Sequence, residues 1–137
     1  MGLYSGTVDE QYVEYSKPQE NGNKTDVRWL VLADSRGIGM QVVGRPLVNF
    51  SARNFTDEDL ENAEHQFELR KRPFITLNLD LQQMGVGGDN AWGARTHPEF
   101  RLTAKPYSFS FTLIPLNLKN DQPAVEARAI RRGSNSR

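Results

Sequence analysis

Apolar and polar side chains alternate most regularly in two stretches of this chain. Ile75, Leu77, Leu79 and Leu81 are apolar where Thr76, Asn78 and Asp80 between them are polar. Tyr107, Phe109, Phe111 and Leu113 alternate in the same way with Ser108, Ser110 and Thr112. Successive side chains of a strand leave opposite faces, so a period of two predicts half-buried antiparallel strands with the apolar set turned inward. Upstream, Val27 to Ala33 predicts a strand, Asp34-Ser35-Arg36-Gly37 supplies turn chemistry, and Ile38 to Val43 resumes an extended apolar run, the pattern of a hairpin. Gly44-Arg45-Pro46 predicts a break before a further strand over Leu47 to Ala52. Phe100 and Leu102 predict a shorter strand. Within residues 1 to 26 only Tyr12 to Tyr15 is strand-like, and the stretch from Lys17 to Lys24 reads as a loop turning at Asn21-Gly22.

One helix is predicted. Thr56 suits the N-cap, Asp57, Glu58 and Asp59 place negative charge in the first turn, and Leu60, Ala63 and Phe67 share a face. The helix should end before Arg70-Lys71-Arg72-Pro73. From Lys119 onward the pattern has little periodicity, so residues 119–137 are expected to form a flexible tail to a single domain at 1–118. The fold class expected is all-β, an antiparallel β-sandwich with one short helix.

Composition narrows the function classes. The chain has 137 residues, enough for one domain with its own core. Its 17 basic residues balance its 17 acidic ones, which gives no electrostatic reason to expect nucleic acid or an anionic membrane as partner. No apolar run approaches the roughly 20 residues that span a bilayer. There is no cysteine, which excludes a disulfide framework and a thiolate metal site. The first residues lack a basic region followed by an apolar stretch, so they are not expected to be a signal peptide. Localisation stays open, with the cytoplasm preferred and the periplasm compatible.

The stretch Met84-Gly85-Val86-Gly87-Gly88-Asp89-Asn90-Ala91-Trp92-Gly93 lies between the two strands of clearest alternation. Four glycines permit tight backbone approach, as a loop needs if it must place one large side chain accurately. A phosphate-binding loop would require a helix directly after the glycines, and Asn90-Ala91-Trp92-Gly93 followed by Thr96-His97-Pro98 is poor helix material. Two readings remain. An indole can lie against the C–H patch of a pyranose, with Asp89 and Asn90 bonding hydroxyls or the loop backbone. Alternatively, Trp92 plugs the core, as most tryptophans do.

The run Met84 to Trp92, followed by Glu99-Phe100-Arg101-Leu102 and the aromatic strand Tyr107 to Leu113, resembles the closing segment of family-2 β-galactosidases. Pro18-Gln19-Glu20-Asn21-Gly22 is similar to a Pro-x-Glu-Asn-Gly turn of the same enzymes, and Thr25-Asp26-Val27-Arg28-Trp29 continues the likeness. The resemblance covers about Tyr12 to Pro115 with the order of motifs kept. It implies the second half of a large antiparallel supersandwich domain, related to galactose-mutarotase-like folds. It also implies that Trp92 reaches the active site of a neighbouring catalytic barrel and stacks on the sugar, presented by Gly87, Gly88, Asp89 and Asn90. The implied partners are the rest of the β-galactosidase, a galactoside substrate such as lactose, and further copies of the chain in an oligomer. The implied magnesium and sodium of such enzymes would be bound elsewhere.

No catalytic residue is expected within the chain. Retaining glycosidases need two carboxyl groups about 5 Å apart, whereas Glu58, Glu61, Glu64 and Glu68 have the spacing of a solvated helix face. His65 and His97 are too separated to suggest a metal site, and His97 with Arg95 is read as anchoring the far side of the loop or as merely exposed. Arg70-Lys71-Arg72 reads as surface charge. A free-standing carbohydrate-binding module and a purely structural half-domain are the competing functions.

Overall fold

The computed structural model describes residues 2–85, 89–90 and 93–133. Its strands are β1 (Lys24–Ala33), β2 (Ile38–Arg53), β3 (Thr76–Asp80) and β4 (Ser110–Asn117), and its helices are α1 (Asp57–Asn62) and α2 (Pro123–Gly133). The strands form one unclosed, mostly antiparallel sheet in the order β1-β2-β3, with β4 also paired to β2. The architecture is therefore all-β and sandwich-like, as the alternation predicts. The chain divides into two compact units, one of Met1–Asp26 with Asn49–Leu79 and one of Val27–Val48 with Asp80–Arg137.

In the first unit the core is built on Ala52, Phe55, Leu60 and Ala63. Thr56 caps α1 as expected: its hydroxyl accepts from the Asp59 amide at 3.1 Å, and the Asp59 carboxylate accepts from the Thr56 amide at 2.9 Å. The helix is shorter than predicted. The Glu68 carboxylate accepts from the Glu64 amide at 2.8 Å and starts a separate 3-10 turn at Gln66–Glu68. That break in the helical period keeps Leu60 and Ala63 buried but turns Phe67 out, 82% exposed and stacked on His65. Tyr12 to Tyr15 is not a strand. A 3-10 turn at Asp9–Gln11 precedes it, and Tyr12 packs edge-on against Phe55 with ring centroids 5.3 Å apart.

The Pro18-to-Gly22 turn is tightly held. Pro18 is buried, and the Asn21 side chain exchanges two hydrogen bonds with the Val13 backbone, at 2.9 and 2.8 Å. Gly22 has φ +72°, and a Cβ there would lie 2.2 Å from the Gln11 carbonyl oxygen, so only glycine fits. Glu20 binds the buried Arg53 at 2.7 Å and accepts from Asn78 of β3 at 2.7 Å.

In the second unit the hairpin turn forms as read, with Asp34 Oδ1 accepting from the amides of Arg36 at 2.9 Å and Ile38 at 3.0 Å. β2 runs unbroken through Gly44-Arg45-Pro46, where a break was expected. Its ladder with β4 extends from Ile38↔Asn117 to Arg45↔Ser110, so Pro46, which has no N–H to donate, falls just past the last rung. Gln41, Val42, Val43, Val48 and Leu116 are buried.

Three segments here differ from the sequence reading. β4 begins at Ser110 rather than Tyr107, and its more covered residues are Thr112, Ile114 and Leu116, while Phe111 and Leu113 are 38% and 49% exposed. The predicted inward face of this strand is thus the outward one. Phe100 and Leu102 form no strand; Pro98–Phe100 is a 3-10 turn and both side chains are exposed. The stretch read as aperiodic carries α2. Pro123 sits in its first turn, where a missing N–H costs nothing, and the Gln122 carbonyl accepts from Val125 and Glu126. The helix lies over the Gln41 face of β2: Gln41 Nε2 donates to the Pro123 carbonyl at 2.7 Å, and Ala127 is buried.

Candidate functional site

The glycine loop leaves the sheet after β3 and returns toward β4, and its base is closed by three bonds. The Gly85 amide donates to the Phe100 carbonyl at 2.9 Å. The Thr96 hydroxyl donates to the Gly85 carbonyl at 2.6 Å, and Arg101 Nε donates to the Thr96 carbonyl. Backbone approaches so closely here that a Cβ on Gly85 would lie 2.9 Å from both Phe100 Cβ and Thr96 Cγ2. The bond between Gly85 and Phe100 fixes the two ends of the loop relative to each other.

Of the residues singled out from sequence, Asp89 and Asn90 can be placed. Asn90 Oδ1 accepts from the Gly93 amide at 3.1 Å and the Ala94 amide at 3.3 Å, so the asparagine serves the loop's own backbone. The Asp89 carboxylate lies 2.9 Å from His97 Nε2 and thereby braces the loop across eight residues. Both side chains of that pair are largely in solvent, so it contributes at most about 1 kcal/mol. His97 is an anchor of the loop's far side, as read; Arg95 is exposed. Gly87, Gly88 and Trp92 lie outside the described residues.

Sequence reasoning missed the closure by Thr96, Gly85 and Phe100. A threonine among polar residues announces no partner eleven positions away, and Phe100 was read as a strand residue. The only usable signal was Gly85 itself, a glycine directly after Met84 at the loop's entry. Glu58, Glu61, Glu64 and Glu68 are all exposed. Among the described residues, no group of three or more histidines and carboxylates is placed to hold a metal ion. No described helix is long and apolar enough to cross a membrane.

Comparison with known proteins bears on what the loop serves. Residues 1–113 match a family model described as the β-galactosidase small chain. A β-galactosidase of Priestia megaterium is 41% identical over 117 residues, 85% of this chain and 11% of that protein. One from Streptococcus thermophilus is 37% identical over 119 residues, 85% of this chain and 12% of that protein. One from Vibrio cholerae is 40% identical over 113 residues, 82% of this chain and 10% of that protein. The chain thus spans roughly a tenth of the length of the curated relatives it matches.

Proposed function

Because the chain belongs to the β-galactosidase small-chain family, we propose that it is a non-catalytic part of a retaining β-galactosidase and lends Trp92 to an active site built elsewhere in the enzyme. The observation that carries this reading is the loop closed at Gly85, Thr96 and Phe100 within the family-matched residues. A tied base with Asn90 and Asp89 spent on the loop's own structure leaves Trp92 as the residue with chemistry to offer a ligand. Its indole would stack on the sugar of a terminal β-galactoside such as lactose, chiefly on the departing side. The two catalytic carboxyl groups, and the magnesium and sodium, would belong to the rest of the enzyme, and this chain alone would be inactive.

The exposed side chains of β4 support the accompanying structural role. Phe111 and Leu113 on β4 and Ile38 on β2 share one face of the second unit's sheet and are partly exposed apolar side chains, although Val42 on that face is buried. Such a face fits a half-sandwich whose other half lies in the remainder of the enzyme. A stand-alone carbohydrate-binding module would instead need several exposed aromatics and converging polar groups around Trp92.

Two measurements test the proposal. Trp92→Ala in the complete enzyme is expected to raise KM for lactose several-fold with little change in kcat; an unchanged KM refutes the sugar contact. Calorimetry of the chain alone with galactose or lactose at millimolar concentration is expected to give no binding heat, and saturable binding would favour the module.

A further inference from the structure

The second unit holds an open groove of about 580 Å³ that no part of the proposal above uses. Five arginines line it: Arg28 from β1, Arg45 from β2, and Arg128, Arg131 and Arg132 from α2. Trp29 forms part of the wall, and no carboxylate is among the described lining residues. This concentration is a matter of placement, since the whole chain carries no net charge. Three arginines elsewhere meet acids: Arg36 with Asp34 at 2.8 Å, Arg53 with Glu20 at 2.7 Å, and Arg72 with Asp59 at 2.6 Å.

In the groove, the partners of Arg45 and Arg131 are neutral. Arg45 Nε donates to the Thr112 hydroxyl at 3.1 Å, and Arg131 donates to the carbonyls of Gly44, at 3.0 Å, and Pro46. Such bonds fix where a guanidinium points without cancelling its charge. A favourable helix dipole accounts for Arg131 and Arg132 in the last turn of α2. It does not account for Arg28 and Arg45, which come from strands. Like charges gathered around one opening repel, and an anion seated among them relieves that repulsion while accepting several charge-assisted hydrogen bonds.

We propose that this groove binds a phosphoryl group, either free phosphate or a small phosphate ester whose organic part lies against Trp29. One carboxylate has too little charge and too few acceptors for so many guanidinium groups. A phosphoryl group carries close to two negative charges at neutral pH and three or more acceptor oxygens. Three of the five arginines lie on α2, beyond the family-matched residues 1–113. The site is independent of the role proposed for Trp92.

The test is calorimetric titration of the full chain with inorganic phosphate and with glycerol 3-phosphate, at an ionic strength held constant with chloride. Saturable binding of either anion at submillimolar affinity is expected. Arg28→Ala with Arg128→Ala, both exposed surface positions, should weaken it at least tenfold while the circular dichroism spectrum stays unchanged. Tighter binding of the ester, lost in Trp29→Ala, identifies an ester as the ligand; equal binding of the two identifies free phosphate. The proposal is overturned if neither anion binds, if succinate binds more tightly than phosphate, or if the double variant binds as well as the parent.

Discussion

Arg53, only 2% exposed, places its guanidinium 2.7 Å from the carboxylate of Glu20, a residue of the Pro18-to-Gly22 turn that lies half in solvent. The same guanidinium meets Asp57 at the start of α1 and the Ser51 hydroxyl at 3.4 Å, while its Nε has no partner. One buried cation thus joins the turn, the end of β2 and the first helical turn within the first unit. The conserving logic of the pair is asymmetric: the charge that needs compensation is the arginine, because the acids can reach water.

That asymmetry orders the variants. Glu20→Ala leaves a buried charge with one acid fewer and removes the acceptor of Asn78, and it should destabilise the chain by about 2 kcal/mol. Arg53→Met removes the charge itself and leaves two carboxylates that are 53% and 75% exposed, so it should cost less than Glu20→Ala combined with Asp57→Ala. Urea unfolding midpoints compare them, and the reverse order would show that packing of the arginine stem matters more than its charge.

Asp59 makes stability depend on pH. The Arg72 guanidinium, bonded to it at 2.6 and 3.0 Å, and then the Thr56 amide hold its carboxyl well below the usual carboxylate range. A carboxylate whose pKa is depressed on folding binds its proton more readily when unfolded. Its stabilisation is complete above pH 4 or so, near the ordinary carboxylate value, and fades as pH falls below that. The urea midpoint of the parent chain should therefore drop on acidification more steeply than that of Asp59→Asn. Parallel curves would remove Asp59 as a cause. Thr56→Ala, which deletes the hydroxyl half of the capping box, should cost about 1 kcal/mol.

Two local devices were legible in sequence because their parts lie within a few residues. The Thr56 N-cap and the Asp34-to-Gly37 turn are short-range chemistry and form as read, whereas the reciprocal bond from the Thr56 amide to the Asp59 carboxylate was not read. The Arg53–Glu20 pair spans 33 residues, and no periodicity reports it. The face of β4 was misread for another reason. Alternation identifies which side of a strand is apolar, yet it does not say whether this chain supplies the cover. Phe111 and Leu113 read as inward because covering normally accompanies an apolar face, and here α2 lies over the Thr112 side instead. Of the loop, the glycines and Asn90 could be read; the closure by Thr96 could not.

The uncovered face of β4 gives a prediction with opposite signs in two contexts. In the chain alone, Leu113→Lys replaces a half-exposed apolar side chain, so self-association should fall and the folding midpoint should move little. In the complete enzyme the same change would place a charge where the proposed other half of the sandwich packs, and thermal stability should fall. Sedimentation of the chain and thermal denaturation of the enzyme read the two effects. Equal, small effects in both would mean that nothing docks on this face.

The loop's base should act on substrate binding without touching substrate. Thr96→Val keeps the shape of the side chain but loses the 2.6 Å bond to the Gly85 carbonyl, and Gly85→Ala forces apart the contacts with Phe100 and Thr96. Neither change alters Trp92 itself. If indole stacking contributes about 1 kcal/mol, Trp92→Ala should raise KM for lactose about fivefold in the complete enzyme. Thr96→Val, which loosens the base by one hydrogen bond, should raise it by a smaller factor, again with kcat nearly unchanged. Combined with Trp92→Ala, Thr96→Val should add almost nothing, because both act through the same ring. Full additivity of the two changes in KM would show that Thr96 serves binding by some route other than holding the loop.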